Sequence, residues 1–437
     1  MTVYRRITDL IGKTPLLEID RSVHGLANVR LYAKLEMQNI FGSLKDRIAW
    51  NIIRDDRGEI RERALEIVEL SSGNTAKALA VLGGMLGVGF RTITNRIKVQ
   101  EQRDLLLLLG AQIEELPGLS ECPDLTNPND PLSYIKRRIA EAPDKYYHTD
   151  QYFNPKNHQA HFENTAEEIL TDLGHAPDFF IAGLGTAGSS SGVTERLWRE
   201  NHALTTVGVV AEKSDFIPGI RTIDEMYEVG LFKPDRYKNI EVVSSHQAVD
   251  STLELVRKVG LLAGPTTGST YYGAVRYLSR VQRSFEREQT AVFIACDRIE
   301  TYISYFKKRR PELFKVTPSS VDALQPEQVD THTRELTPDA FATHLNDTPL
   351  IVDARSAVAY QLGTVHSRAV NIPQDVLDGM FVRGLPFPKA QRVAFICPTG
   401  AATRKFTALV NMRGGWATNL RGGVAAWLAA GMKLVRV

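Results

Sequence analysis

Cysteine is scarce. The 437 residues hold three, Cys122, Cys296 and Cys397, with no Cys-x-x-Cys spacing. That excludes a disulfide scaffold, argues against a structural zinc site and points to a reducing compartment. An excess of one charge is also lacking: 53 Lys+Arg against 51 Asp+Glu leaves +2. Neither a basic nucleic-acid groove nor an acidic disordered tail is expected. Long apolar runs are missing too. The most apolar short run, Leu105–Leu109, falls far below the roughly 20 residues of a membrane-spanning helix and reads as the end of a buried helix. The stretch Met1–Leu10 carries charge and no apolar core, so it does not read as a signal peptide. These absences predict a soluble, cytoplasmic protein with no membrane, nucleic-acid or metal partner.

What is present is an ordinary globular composition, 43% hydrophobic and 24% charged, with length for two to four domains. Short runs rich in Val, Ile and Phe read as strands: Glu66–Leu70, Phe179–Leu184, Thr205–Ala211 and Ala291–Ala295. Helix-period segments lie between them. In Ser43–Asp55, Leu44, Ile48 and Ile52 recur at i, i+4 and i+8, with Ser43 placed as N-cap. Apolar strands alternating with helices predict parallel sheets covered on both faces. Thr317–Thr333 is polar, contains Pro318, Ser319, Ser320 and Pro326, and reads as a linker. Beyond it the alternation resumes, with strands at Leu350–Asp353 and Arg392–Ile396 and helices around Lys405–Met412 and Val424–Ala430. The expected division is residues 1–312, a linker over 313–334, and a small α/β domain over 335–437.

Three clusters in the first part carry chemistry. Lys45 sits in the first turn of its helix, where the helix dipole disfavours an ammonium and so favours a nucleophilic amine. Ser71-Ser72-Gly73-Asn74-Thr75 directly follows a strand and offers hydroxyls, an amide and backbone N–H groups to an anion. Gly183 to Gly192, with Gly185, Thr186, Ala187, Gly188 and Ser189, follows another strand and can close backbone amides around a phosphate. A dinucleotide-binding reading is disfavoured, because Glu212 is the nearest acid at the expected distance and Lys213 follows it.

In order and spacing these clusters resemble the fold-type-II pyridoxal-phosphate enzymes of the cysteine synthase and cystathionine β-synthase family. The resemblance runs from Tyr4 to about Phe306. It includes Ile11-Gly12-Lys13-Thr14-Pro15-Leu16, Tyr32 to Glu36, Asp150-Gln151-Tyr152, Asn154-Pro155, Gly264-Pro265-Thr266-Thr267-Gly268, Asp297 and Tyr302. It implies an α/β fold of two lobes with parallel sheets, and pyridoxal 5'-phosphate as cofactor. Lys45 would hold the cofactor covalently and act as general base. Asn74 would bond its ring hydroxyl, Gly185 to Ser189 would cradle its phosphate, and Thr266 would face its ring nitrogen. Ser71, Ser72, Thr75 and Gln151 would grip the substrate carboxylate. A hydroxyl at Thr266 in place of a carboxylate favours loss of a β-substituent.

Ile40, Ala187, Arg298 and Thr301 depart from the usual family residues and leave the leaving group and nucleophile open. Gly219 to Glu225 resembles the O-phosphoserine-using branch, in which the arginine, here Arg221, recognises the substrate phosphate. A related branch uses an amine nucleophile.

The last 100 or so residues resemble a single-domain rhodanese. The carriers are Leu350 to Arg355, Ala369 to Pro373, Cys397-Pro398-Thr399-Gly400-Ala401-Ala402-Thr403, and Leu420 to Trp427. There Cys397 would carry a persulfide in a loop of backbone amides. Ala402 stands where an arginine is usual, with Arg404 as the candidate substitute. Cys122 and Cys296 read as structural. The fusion makes sulfur the expected nucleophile. It arrives from a sulfane donor or a sulfur-carrier protein, or the domain serves as a docking module alone. A homodimer is also expected.

Overall fold

Runs of Val, Ile and Phe form the strands of three sheets. The computed structural model describes residues 3–94, 97–116, 130–213, 215–227, 229–314, 324–382 and 384–436. It divides into two units, Met1–Arg309 and Arg310–Val437. In the first, β1 (Leu16–Ile19), β2 (Val29–Lys34), β7 (Phe179–Gly183), β8 (Thr205–Ala211), β9 (Asn239–Val243) and β10 (Gln289–Ile294) make one sheet. Its order is β1-β2-β10-β7-β8-β9. A second sheet has β3 (Glu66–Glu69), β4 (Phe90–Thr94), β5 (Gln112–Glu115) and β6 (Tyr146–His148) in the order β5-β4-β3-β6.

All pairings are parallel except β1 with β2. That exception to the expected all-parallel arrangement has a simple cause. Only residues 20–28 separate the two strands, and a parallel crossover needs a dozen or more. The larger sheet is covered on both faces, as its unbroken apolar runs predicted. Phe179 and Ile181 pack into one core cluster while Phe180 and Ala182 pack into another.

The helix Lys45–Ile53 buries Ile48, Ala49, Ile52 and Ile53, as its periodicity predicted. Its N-cap is Leu44 instead of Ser43. The Ser43 hydroxyl still accepts a hydrogen bond from the Lys45 amide at 3.2 Å. The leucine run is corrected further. Gln100–Leu108 is a helix, yet only Leu106 of it is buried, and Leu108 is 83% exposed.

In the second unit β11 (Glu335–Leu336), β12 (Leu350–Asp353), β13 (Ala369–Asn371), β14 (Arg392–Ile396) and β15 (Trp416–Leu420) form one parallel sheet, ordered β11-β15-β14-β12-β13. The stretch expected as linker is only partly one. Pro326–His332 is a helix with a capping box at Gln325 and proline in its first turn. It buries Val329, and Asp330 pairs with Arg404. Thr317 to Ser320, and Cys122, lie outside the described residues.

Candidate active site

The carboxyl ends of the parallel strands converge on one cavity, the usual place for a ligand in an open α/β sheet. β3 leads into Ser71–Thr75, β6 into Gln151 and Tyr152, β7 into Gly185 and Thr186, and β8 into Asp215–Thr222, and all of these segments line it with Lys45. Lys45 is stapled to the end of β10: Ser43 bridges Asp297, and the Leu44 amide donates to the Cys296 carbonyl at 2.9 Å. Burial lowers the Lys45 amine to about 8; Cys296, Glu69 and Asp297 oppose the shift and Arg221 adds to it. Desolvation, more than the helix end invoked from sequence, therefore prepares the amine.

The anion-binding turn is internally braced. Ser71 Oγ accepts from the Ala76 amide at 3.1 Å, Thr75 Oγ1 donates to Gln151 Oε1 at 2.8 Å, and Gln151 Nε2 donates to the Leu70 carbonyl at 2.9 Å. Ser72 lines the cavity beside them. Asn74 Nδ2 donates to Asp297 Oδ2 at 2.6 Å and to the Tyr302 hydroxyl at 3.1 Å.

Beneath the turn lies an acid the sequence reading missed. Glu69 is fully buried, accepts from the Gln151 amide at 3.0 Å and from Thr149, and is raised to about 7 by burial. Its one sequence signal is a carboxylate set between the apolar residues Ile67-Val68 and Leu70.

The glycine loop ends in Ala187, which takes a left-handed φ of +60° as N-cap of the helix Gly188–Glu200. Gly185 and Thr186 line the cavity; Ala187, Gly188 and Ser189 stand behind them. A Cβ on Gly188 would lie 2.0 Å from Asn157 Oδ1, so no side chain can replace that hydrogen. Asn157 Nδ2 ties the loop to its neighbour, donating to the Gln151 carbonyl at 2.7 Å and Thr186 Oγ1 at 3.0 Å. Thr266 is buried against the Pro218–Gly219 segment of the cavity wall. Its hydroxyl donates to the Pro218 carbonyl, behind the Pro218–Gly219 segment that forms the wall.

Arg221 does line the cavity. Its guanidinium lies 5.1 Å from the Tyr152 ring centre and Nη2 donates to the Tyr152 hydroxyl at 3.1 Å. Nearby, Asp224 pairs with Lys213 and Glu225 accepts from the Thr222 amide. Cys296 is buried, and its thiol is pushed well up by that burial.

In the second unit Cys397 is 1% exposed, and the Thr403 hydroxyl lies 3.2 Å from its sulfur. Gly400, at φ +78°, turns the loop where a Cβ would strike the Leu420 carbonyl at 2.7 Å. Arg404 does not substitute for the missing loop arginine, because it turns away to Asp330 at 2.6 Å and toward Glu335 at 3.7 Å. Among the described residues no group of His, Cys, Asp and Glu is arranged to hold a metal, and no helix is long and apolar enough to cross a membrane.

The first unit's residues fit pyridoxal phosphate. They offer an amine brought near neutrality, a loop of small residues at the start of a 13-residue helix for the phosphate, and the Asn74 amide beside Lys45. Comparison with known proteins agrees. The model of the family "Pyridoxal-phosphate dependent enzyme" matches residues 7–297, and that of the "Rhodanese-like domain" matches 337–430. Cysteine synthase B of Pseudomonas aeruginosa is 31% identical over 307 residues, covering 70% of this chain and 98% of that protein. The structure of O-acetyl serine sulfhydrylase isoform 3 from Entamoeba histolytica superposes with TM-score 0.60 at 25% identity, over 69% of this chain and 91% of its own. A hydrogen sulfide-producing enzyme from Fusobacterium nucleatum gives TM-score 0.60 at 27% identity, over 69% and 99%. The chain therefore belongs to the pyridoxal-phosphate dependent enzymes of fold type II and carries a rhodanese-like domain behind that enzyme.

Proposed function

We propose that the first unit exchanges the β-substituent of an O-activated L-serine for sulfur, giving L-cysteine or a related thiol amino acid, and that the activated substrate is O-phospho-L-serine. The names of the relatives support sulfur chemistry at that carbon. The observation that carries the phosphoserine reading is Arg221, set on Tyr152 in the cavity that holds Lys45. The bound cofactor supplies the electron sink that makes the α-proton removable. The chain's own residues do the rest. The Ser71–Thr75 turn with Gln151 orients the carboxylate. Lys45, with its amine near neutrality, removes the α-proton and later returns it. The β-carbon loses phosphate and gains the sulfur nucleophile. A homodimer in the cytoplasm is part of the same proposal.

The test is to offer the enzyme O-phosphoserine and O-acetylserine, each against sulfide, thiosulfate and amines, and to identify products by mass. Arg221→Ala should lower kcat/KM for O-phosphoserine by about 10–150-fold, the worth of one charge-assisted contact, and affect O-acetylserine far less. Parallel losses on both substrates would remove the phosphoserine assignment. A diaminopropionate-type product from amines alone would replace sulfur as the nucleophile.

For the second unit, the buried Cys397 sulfur and the diverted Arg404 favour a docking module for a sulfur-carrier protein over a persulfide relay. Cys397→Ser should then keep turnover with every sulfur donor, measured as cysteine formed. Loss with thiosulfate but not with sulfide would restore the relay.

A further inference from the structure

The amide of Asn74 and its two partners come from opposite lobes. Asn74 opens the helix Asn74–Leu86, which follows β3 of the four-stranded sheet. Asp297 follows β10 of the six-stranded sheet, and Tyr302 ends the turn Ile299–Tyr302. Asn74 and Tyr302 line the cavity with Lys45, and Asp297 lies behind them, 2% exposed. The Tyr302 hydroxyl donates to Asp297 Oδ2, the same oxygen that accepts from Asn74 Nδ2. The two oxygens therefore stand together on one side of the Asn74 nitrogen, and one N–H reaches both. The second N–H is left over. This corner is costly to keep. Asp297 Oδ1 is buried and has no hydrogen-bond partner among the described residues. Gly264 leaves room for it: a Cβ there would lie 2.3 Å from Oδ1 and 2.9 Å from the Tyr302 ring. Gly264 has an ordinary φ of −79°, so contact and not backbone conformation excludes a side chain. Burial raises the Asp297 carboxyl to about 6, against Tyr302, Lys77, Asn74 and Lys45. Near neutrality it is chiefly ionised and offers hydrogen-bond acceptors only. Orphaned buried acceptors are rare and call for a reason.

We infer that Asp297, braced by Tyr302, is a positioning residue that fixes the Asn74 amide so that its nitrogen, and not its oxygen, serves the ring hydroxyl of bound pyridoxal phosphate. This role rests on the reading of Asn74 as the amide that meets that hydroxyl, and it is independent of which serine ester is the substrate. The two ends of an asparagine amide are nearly alike in shape and opposite in function. An acceptor-only carboxylate behind the amide draws the nitrogen to that corner. The amide then spends one N–H on Asp297 and keeps one to give. A ring oxygen that receives an N–H is stabilised as an anion, whereas one that faces an amide oxygen keeps its proton. That choice sets the cofactor's colour and its pull on electrons. The main chain of Asp297 acts on the amine as well, since it bridges Ser43, two residues before Lys45. One residue thereby places Asn74 by its side chain and the start of the Lys45 helix by its backbone.

The test uses the full-length holoenzyme and four variants: Asp297→Asn, Tyr302→Phe, Asn74→Ala, and Asp297→Asn combined with Asn74→Ala. Two readouts are taken without turnover. One is the absorption spectrum of the bound cofactor, and the other is the dissociation constant of pyridoxal phosphate, from the colour retained on dialysis against graded cofactor. Asp297→Asn should move absorbance from the visible band to shorter wavelength. It should also raise the dissociation constant about tenfold, the worth of one hydrogen bond to a charged group. Tyr302→Phe keeps the carboxylate and the buried ring, and should move both readouts the same way by less. On the Asn74→Ala background, Asp297→Asn should change neither readout further, because it acts through the amide. Additive losses in the double variant would make Asp297 a structural residue and overturn its positioning role. So would an unaltered spectrum and dissociation constant in Asp297→Asn while Asn74→Ala changes both. Should Asp297→Asn fail to fold, Tyr302→Phe carries the test, and readouts equal to those of the unaltered enzyme would overturn the role. An unaltered spectrum in Asn74→Ala would remove the reading of Asn74 itself, and the role of Asp297 with it.

Discussion

Lys45→Ala should give a colourless protein that has lost its cysteine-forming turnover. The unaltered enzyme should be yellow, with a band at roughly 410–430 nm that belongs to the cofactor joined to an amine. Removing Lys45 removes both that amine and the base that moves the α-proton. Loss of general-base catalysis alone is worth roughly 10²–10⁴-fold. Alanine is the best helix former, so the helix Lys45–Ile53 should survive the change. Visible absorbance before and after borohydride, with sulfide-dependent turnover, decides the matter. A coloured, reducible, active Lys45→Ala protein would defeat the assignment. The rate should also fall below about pH 8 as the free amine acquires its proton, since burial has brought that transition down from the ordinary lysine range.

The largest effect on stability should come from Arg47, two residues further along the same helix. Its Nε and Nη2 donate to both Glu36 oxygens at 2.7 Å, and Nη1 and Nη2 donate to both Glu168 oxygens at 2.7 Å. Glu36 is fully buried. Arg47→Met leaves it without its cation, a loss of about 3–5 kcal/mol, because a stranded buried charge costs more than the pair ever contributed. Urea denaturation of the two proteins at pH 7 measures it, and a loss under about 1 kcal/mol would mean the carboxylates find other partners.

The network also sets an acid limit. Burial alone would raise both carboxyls, but the Arg47 charge and hydrogen bonds outweigh it and hold Glu36 low and Glu168 at about 2. A depressed folded-state value stabilises above the unfolded glutamate value, roughly 4.3, and that stability is lost as pH falls through the folded values. The unaltered protein should therefore weaken between about pH 4.5 and 2, and Arg47→Met should show a flatter profile there.

Much of the site was legible because it is written in short contiguous stretches. Lys45, Ser71–Thr75 and Gly185–Ser189 each announce themselves by local composition, and strand ends bring them together. Lys98, Tyr152, Phe216 and Glu69 were not legible as a group. They come from four segments that only the two-sheet topology joins; Glu69 and Tyr152 stand beside stretches that were readable, while Lys98 and Phe216 have no such neighbourhood. Thr266 shows the opposite limit: its position was readable, but the partner its hydroxyl takes, Pro218, is a property of the fold. The leucine run was misread for a geometric reason. A helix turns about 100° per residue, so five consecutive leucines cannot share one face, and only Leu106 of the helix reaches the core.

The short helix Pro326–His332 has a bearing on where the sulfurtransferase-like module begins as a unit of inheritance. Resemblance to rhodaneses starts near residue 337, yet the chain before it is already part of the fold. Val329 is buried, Leu324 packs against the cluster of Phe381, Phe395 and Phe406, and the His332 carbonyl accepts from Asn411 at 2.9 Å. Arg404 fastens this segment through Asp330. A gene fusion that carried over only the recognisable rhodanese sequence would have left an apolar face bare. Leu324 and the helix Pro326–His332 thus cover part of the second unit's core ahead of the recognisable rhodanese sequence.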